Sequence, residues 1–245
     1  MKKIFTFVAA MFAAVCVNAQ DVITFDAGTT YKDLDILTVG SLTLQLGKDE
    51  KKAAAWDNKA YTIKDGGANV APFGTTVQYV SGGDNPKDEA GGTYKPDGKN
   101  LPEKGTYYMI TPAKDGSVTV GIILNASKTF YVAKKSDGSA FLPSELTLQD
   151  VAGADVELDE DNLVTEKFYG TVAFPAVANE TYYLFCLGSK LGCFGAYLTS
   201  NTSTGVSSVV LGNDVEAAKV NLAGQRVGNA YKGIVIQNGR KMIQK

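Results

Sequence analysis

The chain has no histidine, and its only two arginines, Arg226 and Arg240, lie near the C-terminus. Without histidine it lacks the commonest general base and the commonest zinc ligand, so Ser-His and Cys-His nucleophile pairs are excluded. The body of the chain has no guanidinium for a bidentate contact with a carboxylate or phosphate. These absences favour a protein that binds over one that catalyses, and they predict no catalytic residue, no cofactor and no metal site.

The chain also lacks a strong net charge and helical periodicity. Lysine and arginine total 24 against 26 acidic residues, which predicts no attraction to nucleic acid. Short runs rich in Val, Ile, Thr, Tyr and Phe are separated by Gly, Asp, Asn and Pro, a pattern typical of antiparallel strands. The predicted fold class is all-β: an antiparallel β-sandwich, jelly-roll-like, with a small C-terminal β appendage.

Two hairpins give the clearest strand signals. Asp115-Gly116 predicts a tight turn between strands Thr106–Ile110 and Ser117–Leu124. The second hairpin joins Thr181–Leu187 to Cys193–Leu198, and both of its strands are apolar on both faces, as in the interior of a sandwich. Further strands are predicted at Asp35–Leu46, Thr75–Val80, Thr129–Ala133, Glu145–Leu148 and Phe168–Phe174.

Composition divides the chain into four segments. Residues 1–19 have a basic start, a short apolar run and small residues before a cleavage position, which indicates a secretory signal peptide. Residues 20–200 form the predicted sandwich, 201–205 a polar linker, and 206–245 a C-terminal β segment. We therefore expect an exported protein, secreted, cell-surface or periplasmic, without a transmembrane segment.

Aromatic side chains are the first candidates for ligand contacts, because sugar-binding modules stack rings against the apolar faces of sugars. Trp56, the only tryptophan, has polar neighbours that suit a surface loop, although a lone tryptophan is often a partly buried anchor. Tyr61 and Tyr79 are similar. Tyr94 lies in the Gly- and Pro-rich stretch 81–104, whose length indicates a functional loop or a mobile segment.

Polar residues at strand ends complete the predicted site. Asn125 and Lys128 follow a long strand, and Lys190 lies in the connection after another. Loops at one end of a sandwich commonly converge, so these side chains are expected to meet, although lysines at turns also serve as edge protection. The candidate ligand-binding residues are Trp56, Tyr94, Asn125, Lys128 and Lys190.

Cys186 and Cys193 flank the second hairpin loop, and export to an oxidising compartment permits a disulfide between them. Suitable cross-strand geometry is required for such a bond, and two buried free thiols fit the sequence equally well. Both states stay open at this point.

Carboxylates offer two further kinds of site. An acidic cluster lacks the spacing of an EF-hand loop, so a solvated turn explains it better than bound calcium. Paired carboxylates in one cleft would make a glycosidase, but no such pair can be placed from the sequence. The cluster comprises Asp155, Glu157, Asp159, Glu160 and Asp161.

The C-terminal segment resembles the sorting domains of proteins exported through type nine secretion. The resemblance lies in Asn221–Val227, Tyr231–Ile236 and the basic ending Arg240–Lys245. Asn238-Gly239 between the last two strands is a strong hairpin signal, and a plain terminal hairpin is the alternative. The resemblance implies that the secretion machinery is a partner of this segment.

The body is similar to β-sandwich modules found beside pectate lyases and other secreted polysaccharide-degrading proteins. The similarity is carried by Asn85–Asp88, Gly105–Tyr108, Leu124–Lys128 and Gly188–Gly192 followed by Gly195. It implies an exported, non-catalytic module that binds an extracellular polysaccharide. A structural or adhesive surface protein without a sugar ligand is the alternative.

Overall fold

The computed structural model describes residues 20–94, 96–188 and 190–200, together with 219–221, 227–228, 231–237 and 240–244 of the tail. The predicted signal peptide and the linker 201–205 lie outside the described residues. The chain divides into two compact units, Met1–Asn201 and Thr202–Lys245. The division falls at the start of the polar stretch that suggested a linker.

The described residues form seventeen strands and two short 3-10 helices. In chain order, the strands are β1 Asp21–Thr24, β2 Ile36–Val39, β3 Leu42–Leu46, β4 Asp57–Thr62, β5 Thr76–Ser81, β6 Tyr107–Pro112, β7 Gly116–Leu124, β8 Lys128–Lys134, β9 Thr147–Asp150, β10 Asp155–Val156, β11 Leu163–Val164, β12 Phe168–Ala176, β13 Tyr182–Leu187, β14 Gly192–Ser200, β15 Val220–Asn221, β16 Gly233–Gln237 and β17 Arg240–Gln244. The 3-10 helices are Ala71–Phe73 and Pro143–Glu145.

The first unit is a sandwich of two antiparallel sheets. Sheet A has the order β10-β9-β12-β7-β14-β5-β4, with β1 beside β14, and sheet B has the order β11-β8-β13-β6-β3-β2. The second unit contains a three-stranded sheet in the order β15-β16-β17. The predicted all-β antiparallel sandwich is confirmed, whereas the jelly-roll path stays a prediction.

The predicted strands lie close to observed ones, but both predicted hairpins are wrong. Strand β6 belongs to sheet B and β7 to sheet A, and likewise β13 belongs to sheet B and β14 to sheet A. Each connection therefore crosses between the sheets and does not join neighbours in one sheet. The physical reason is that these strands are apolar enough to face each other across the core, and a turn sequence does not distinguish the two arrangements.

Two local features differ from the predicted pattern. Asp35–Leu46 is divided into β2 and β3 by a turn at Gly40, whose φ of 53° suits glycine. There Ser41 N–H donates to the Asp21 carboxylate over 2.6 Å. Strand β4 was not predicted, because an edge strand with several exposed polar residues lacks the apolar alternation by which strands are recognised.

Apolar packing occurs in three layers. The main core lies between the sheets, and the largest of its fully buried side chains include Tyr108, Phe130 and Phe174. A second cluster, around Phe73 and Phe194, covers part of the outer face of sheet A. A third cluster covers part of the outer face of sheet B. Each outer cluster covers only part of its sheet face, and loops border the uncovered part.

The stretch 81–104 is packed against the third cluster. Tyr94 is buried, its ring meets Phe185 edge-on with centroids 5.2 Å apart, and its hydroxyl donates to the Asn100 carbonyl over 2.6 Å. Antiparallel bridges also join Lys87 to Thr93 and to Lys104. Backbone bonds and one aromatic anchor therefore order a segment that composition alone suggested to be a functional or mobile loop.

A fully buried carboxylate, that of Asp49, joins the loops beside β4 and β5. One of its oxygens accepts from the backbone N–H groups of Lys51 and Lys52, at 3.1 and 2.9 Å. The other accepts from Gly83 N–H at 2.6 Å, Asp84 N–H at 2.9 Å and the Thr106 hydroxyl at 2.8 Å. Five donors compensate for the loss of water around this charge.

We expect Asp49→Asn to lower the free energy of unfolding by about 3 kcal/mol, because an amide cannot accept from all five donors and its NH₂ group would face some of them. Urea denaturation monitored by circular dichroism measures the change. The control is Asp137→Asn, since the Asp137 carboxylate is exposed at the surface, where it accepts from the N–H and hydroxyl of Ser139. Equal losses in the two variants would contradict the structural role assigned to Asp49.

Candidate functional site

A row of five residues crosses sheet A near one end of its central strands. Cross-strand pairing places Asp57 of β4 opposite Ser81 of β5, and Ser81 opposite Gly192 of β14. Gly192 is opposite Ile123 of β7, which is opposite Tyr169 of β12. All five line one open cleft with a volume of about 150 Å³. Residues distant in sequence are thus aligned by the register of the sheet.

Polar side chains surround this row, and together with it they form the lysine–tyrosine cleft. Lys59 and Tyr79 are paired across β4 and β5. Three further residues come from strand ends and connections: Asn125 after β7, Lys167 before β12 and Lys190 before β14. The lining therefore combines three ammonium groups, one carboxylate, one amide and two tyrosine rings.

Sheet A curls strongly beside the cleft. Strands β4 and β12 lie four positions apart in the strand order, which corresponds to about 19 Å in a flat sheet. Nevertheless, the rings of Tyr61 on β4 and Tyr169 on β12 stack with centroids 5.0 Å apart. Because β5 pairs with β14 through only two residues, the β4–β5 hairpin is free to fold over the outer face. This curl makes the face concave.

The two tyrosines that line the cleft have different surroundings. Tyr169 stacks on Tyr61, and the Lys167 ammonium lies 4.6 Å from the Tyr169 ring centroid. Tyr79 is half-buried and forms no ring stacking among the described residues. A Cβ added to Gly192 would lie 3.3 Å from the Tyr79 ring. The absence of a side chain at Gly192 therefore lets this ring approach the backbone at the bottom of the cleft. Of the two lining tyrosines, Tyr79 is therefore the one whose ring is not covered by another described aromatic ring.

The charges of the cleft are organised around Asp57. Lys52 donates to Oδ1 of Asp57 over 2.7 Å, and the Lys190 ammonium lies 3.7 Å from Oδ2. The hydrogen bond from Lys52 lowers the pKa of Asp57, and the charges of Lys52, Lys59 and Lys190 lower it further against the opposing effect of burial. A hydrogen bond with Tyr169 raises the pKa of Lys167. Asp57 and Lys167 therefore keep their charges throughout the neutral range.

Two of the five predicted ligand-binding residues, Asn125 and Lys190, lie in this cleft. Lys128 does not, because the connection after β7 crosses from sheet A to sheet B and carries Lys128 into β8. Its side chain lies beside Gly188. Residues three positions apart in sequence are thereby separated onto different sheets.

Trp56 and Tyr94, which were predicted to stack on a ligand, are both buried in the structure described. Trp56 is 3% exposed, its ring meets Tyr108 edge-on, and its Nε1–H donates to Asp33 Oδ1 over 2.8 Å. Tyr94 is also 3% exposed and packs on Phe185. Neither ring presents a face to solvent. Burial of a large aromatic ring is favourable when its polar group finds a hydrogen-bond partner, as it does in both cases.

Cys186 and Cys193 are both buried, and of the two open states the disulfide is not formed. Cys186 lies in sheet B and Cys193 in sheet A. Packed sheets are about 10 Å apart, whereas disulfide-bonded Cα atoms are at most about 7 Å apart. Burial raises the pKa of Cys193 to about 12, which keeps this thiol protonated and unreactive.

Two larger clefts in the described residues have a different chemistry. One, of about 570 Å³, is lined by aliphatic side chains such as Leu142 and Leu146 with an acidic rim that includes Glu157 and Glu160. The other, of about 450 Å³, is lined by Asp88 and other carboxylates. In the acidic turn, Asp159 accepts from two backbone N–H groups. Across the described chain, no three acidic or cysteine side chains are grouped to hold a metal ion.

No protein-family model matches the chain, and no curated protein matches it in sequence. Within the described residues, there is no helix of the length and apolar character needed to cross a membrane.

Sequence reasoning missed several residues of the cleft, namely Asp57, Lys59, Lys167 and Tyr169. Asp57, Lys59 and Tyr61 are spaced two residues apart along β4, and this period of two was the available signal for one polar strand face. No signal linked Lys167 and Tyr169 to them, because their proximity depends on strand order.

We expect the pKa of Asp57 to lie below its ordinary value of 3.8 and to rise in Lys52→Gln, because the strongest hydrogen bond to the carboxylate is then lost. A carbon-detected NMR titration of the side-chain carboxyl measures it. Since the folded-state pKa is depressed, the associated stabilisation is present above pH 3.8 and is lost as the pH falls through the folded value. Lys114→Gln, at a distant turn, should leave the titration unchanged; an unaltered pKa in Lys52→Gln would contradict the assignment.

We expect the fluorescence of Trp56 to be poorly quenched by acrylamide, because the only indole is buried. Trp56→Ala should lower the free energy of unfolding by about 4 kcal/mol, through the cavity and the loss of the indole donor to Asp33 Oδ1, which still accepts from Asp49 N–H. Trp56→Phe keeps most of the packing and should lose less. Efficient quenching in the native protein, or equal stability of Trp56→Ala, would show that the ring is exposed.

Proposed function

We propose that the first unit is a non-catalytic glycan-binding module and that the lysine–tyrosine cleft is its binding site. The observation that carries the proposal is the half-buried Tyr79 ring on the cleft floor, surrounded by amide, carboxylate and ammonium groups. A sugar ring has an apolar face that stacks on an aromatic ring and hydroxyls that exchange hydrogen bonds with such groups.

The dimensions of the cleft favour a sugar within a longer chain. A volume of about 150 Å³ holds about one sugar ring, and the cleft is open to solvent. Asn125 and Asp57 offer acceptors, while Lys59 and Lys190 offer donors. Neighbouring sugars of a polysaccharide would extend across the sheet surface beyond Tyr79. Few contacts and one ring predict weak binding at each site.

The same lining favours binding over hydrolysis. Glycosidases place two carboxylates on opposite sides of the scissile bond. Asp57 is the only carboxylate among the residues that line this cleft, and it is engaged by Lys52 at 2.7 Å. A carboxylate held ionised by lysine is also poorly suited to donate a proton as a general acid.

We also propose that the module acts outside the cell. The signal-peptide pattern of residues 1–19 supports export, and the tail pattern supports recognition by a type nine secretion machinery. In the tail, β16 and β17 are antiparallel partners, with Gly233 opposite Gln244 at one end and Gln237 opposite Arg240 at the other, as a terminal hairpin requires. The turn residues Asn238 and Gly239 themselves lie outside the described residues.

We expect Tyr79→Ala to weaken glycan binding at least about tenfold, because it removes the stacking surface. Wild type and variant are compared by isothermal titration calorimetry on the ligands found by screening plant, mucin and bacterial glycans. Thermal unfolding is recorded for each variant, so that a loss of binding is not mistaken for a loss of structure.

Tyr183→Ala is the matched control. Tyr183 is also half-buried and stacks on Tyr107, with centroids 5.5 Å apart, but it belongs to sheet B. It should retain binding. Equal binding by Tyr79→Ala would place the site elsewhere. Absence of binding to every glycan would reject the proposal and favour a structural or adhesive surface protein.

A further inference from the structure

The lysine–tyrosine cleft has a local charge opposite in sign to that of the whole protein. The chain carries a formal net charge of −2. The cleft lining, in contrast, includes three lysines, Lys59, Lys167 and Lys190, and one carboxylate, Asp57. Asp57 is already paired with Lys52, a fourth ammonium at the edge of the cleft. The positive charge of the lining thus exceeds the negative charge.

Two of these ammonium groups have no carboxylate partner. Within the described part of the chain, neither Lys59 nor Lys167 forms an ion pair, and both side chains belong to exposed residues. The Tyr169 ring orients Lys167 over the cleft wall, and the Lys167 ammonium lies 4.6 Å from the centroid of that ring. Stacking of Tyr169 on Tyr61 holds that ring in turn. A lysine positioned by a buttressed ring loses less side-chain entropy when it meets an anion.

The other clefts show that this arrangement is local. Both larger clefts are lined by carboxylates, including Glu157 and Glu160 in one and Asp88 and Asp97 in the other. An anionic polymer would be repelled from them and attracted to the lysine–tyrosine cleft. Charge would therefore select both the ligand and the place where it binds.

We infer that the ligand of the lysine–tyrosine cleft is an acidic glycan, whose carboxylate or sulfate group contacts Lys59 and Lys167 while its sugar ring stacks on Tyr79. This inference rests on the proposed glycan-binding function and narrows its ligand class. Lysine suits such a group as a point charge that tolerates several orientations, in the absence of arginine for bidentate contacts. Uronate and sulfate share this chemistry, and the experiment separates them.

The test uses two matched pairs of polymers, each with and without charge: polygalacturonate against its methyl ester, and dextran sulfate against dextran. Binding to the full mature chain is measured by biolayer interferometry in about 0.1 M and about 1 M NaCl, which changes the screening length from about 10 Å to about 3 Å. We expect one charged polymer to bind about tenfold more tightly than its uncharged match at low salt, and to lose most of this advantage at high salt.

The variant Lys59→Gln/Lys167→Gln removes the unpaired charges and leaves polar side chains that are one atom shorter. It should lose most of the preference for the charged polymer, whereas Lys114→Gln/Lys135→Gln, with the same loss of charge at exposed turns, should keep it. Preference for polygalacturonate identifies a carboxylate ligand, and preference for dextran sulfate identifies a sulfate ligand; either supports the inference.

Three outcomes would count against it and are distinguishable. Equal binding to both members of each pair would overturn the acidic-glycan inference and leave glycan binding intact. A charge preference lost equally in both double variants would reject this cleft as its origin. No binding to these polymers or to any screened glycan would reject the proposed function itself.

Discussion

The buried carboxylate of Asp49 joins the two loops on which the geometry of the cleft depends. It accepts from Lys52 N–H on the way into β4 and from Gly83 N–H on the way out of β5. The Lys52 side chain then reaches Asp57 at the start of β4. A Cβ at Gly82 would lie 2.3 Å from the Asp49 carboxylate, so the approach of the second loop requires glycine. One desolvated charge therefore holds both ends of the β4–β5 hairpin.

The tyrosines are used differently on the inside and outside of the sandwich. Tyr108 is fully buried, and its hydroxyl lies 2.7 Å from the Val80 carbonyl and 2.8 Å from the Leu191 carbonyl. Its single proton is shared between these two acceptors, which connects sheet B to β5 and to the residue before β14. Tyr61, Tyr79 and Tyr169 lie on the outer face and are only half-buried. An aromatic ring with a polar end suits both places, since it contributes apolar area and still satisfies its hydroxyl. The same residue type thus stabilises the core and shapes the cleft.

Much of the fold was predictable because strand formation leaves a local signal. The alternation in β7 and β12 identified both strands close to their observed ends, and turn residues separated them from their neighbours. Sheet membership was not predictable. The turn at Asp115-Gly116 suits a hairpin, yet β6 and β7 lie in different sheets, because two apolar strands bury more surface across a core than side by side.

Burial is the property of the predicted site residues that the sequence did not indicate. Polar neighbours suggested an exposed Trp56, but Asp33 supplies a buried partner for its indole N–H, and the ring packs in the core. Asn125 and Lys190 lie at connections that line the same cleft, and their contact with a ligand stays a prediction. Tyr169 was absent from the expected set, since its contact with Tyr61 requires a sheet that curls across four strand positions.

The sequence by itself determined the secondary structure type, the chemical classes that are excluded and the polar connections, because these follow from composition and from periods of a few residues. Only the tertiary structure decided which aromatic rings are exposed, which sheet each cysteine joins and which lysines share one cleft. Those properties depend on strand order, register and curl, which bring together residues more than a hundred positions apart. No local pattern encodes that alignment.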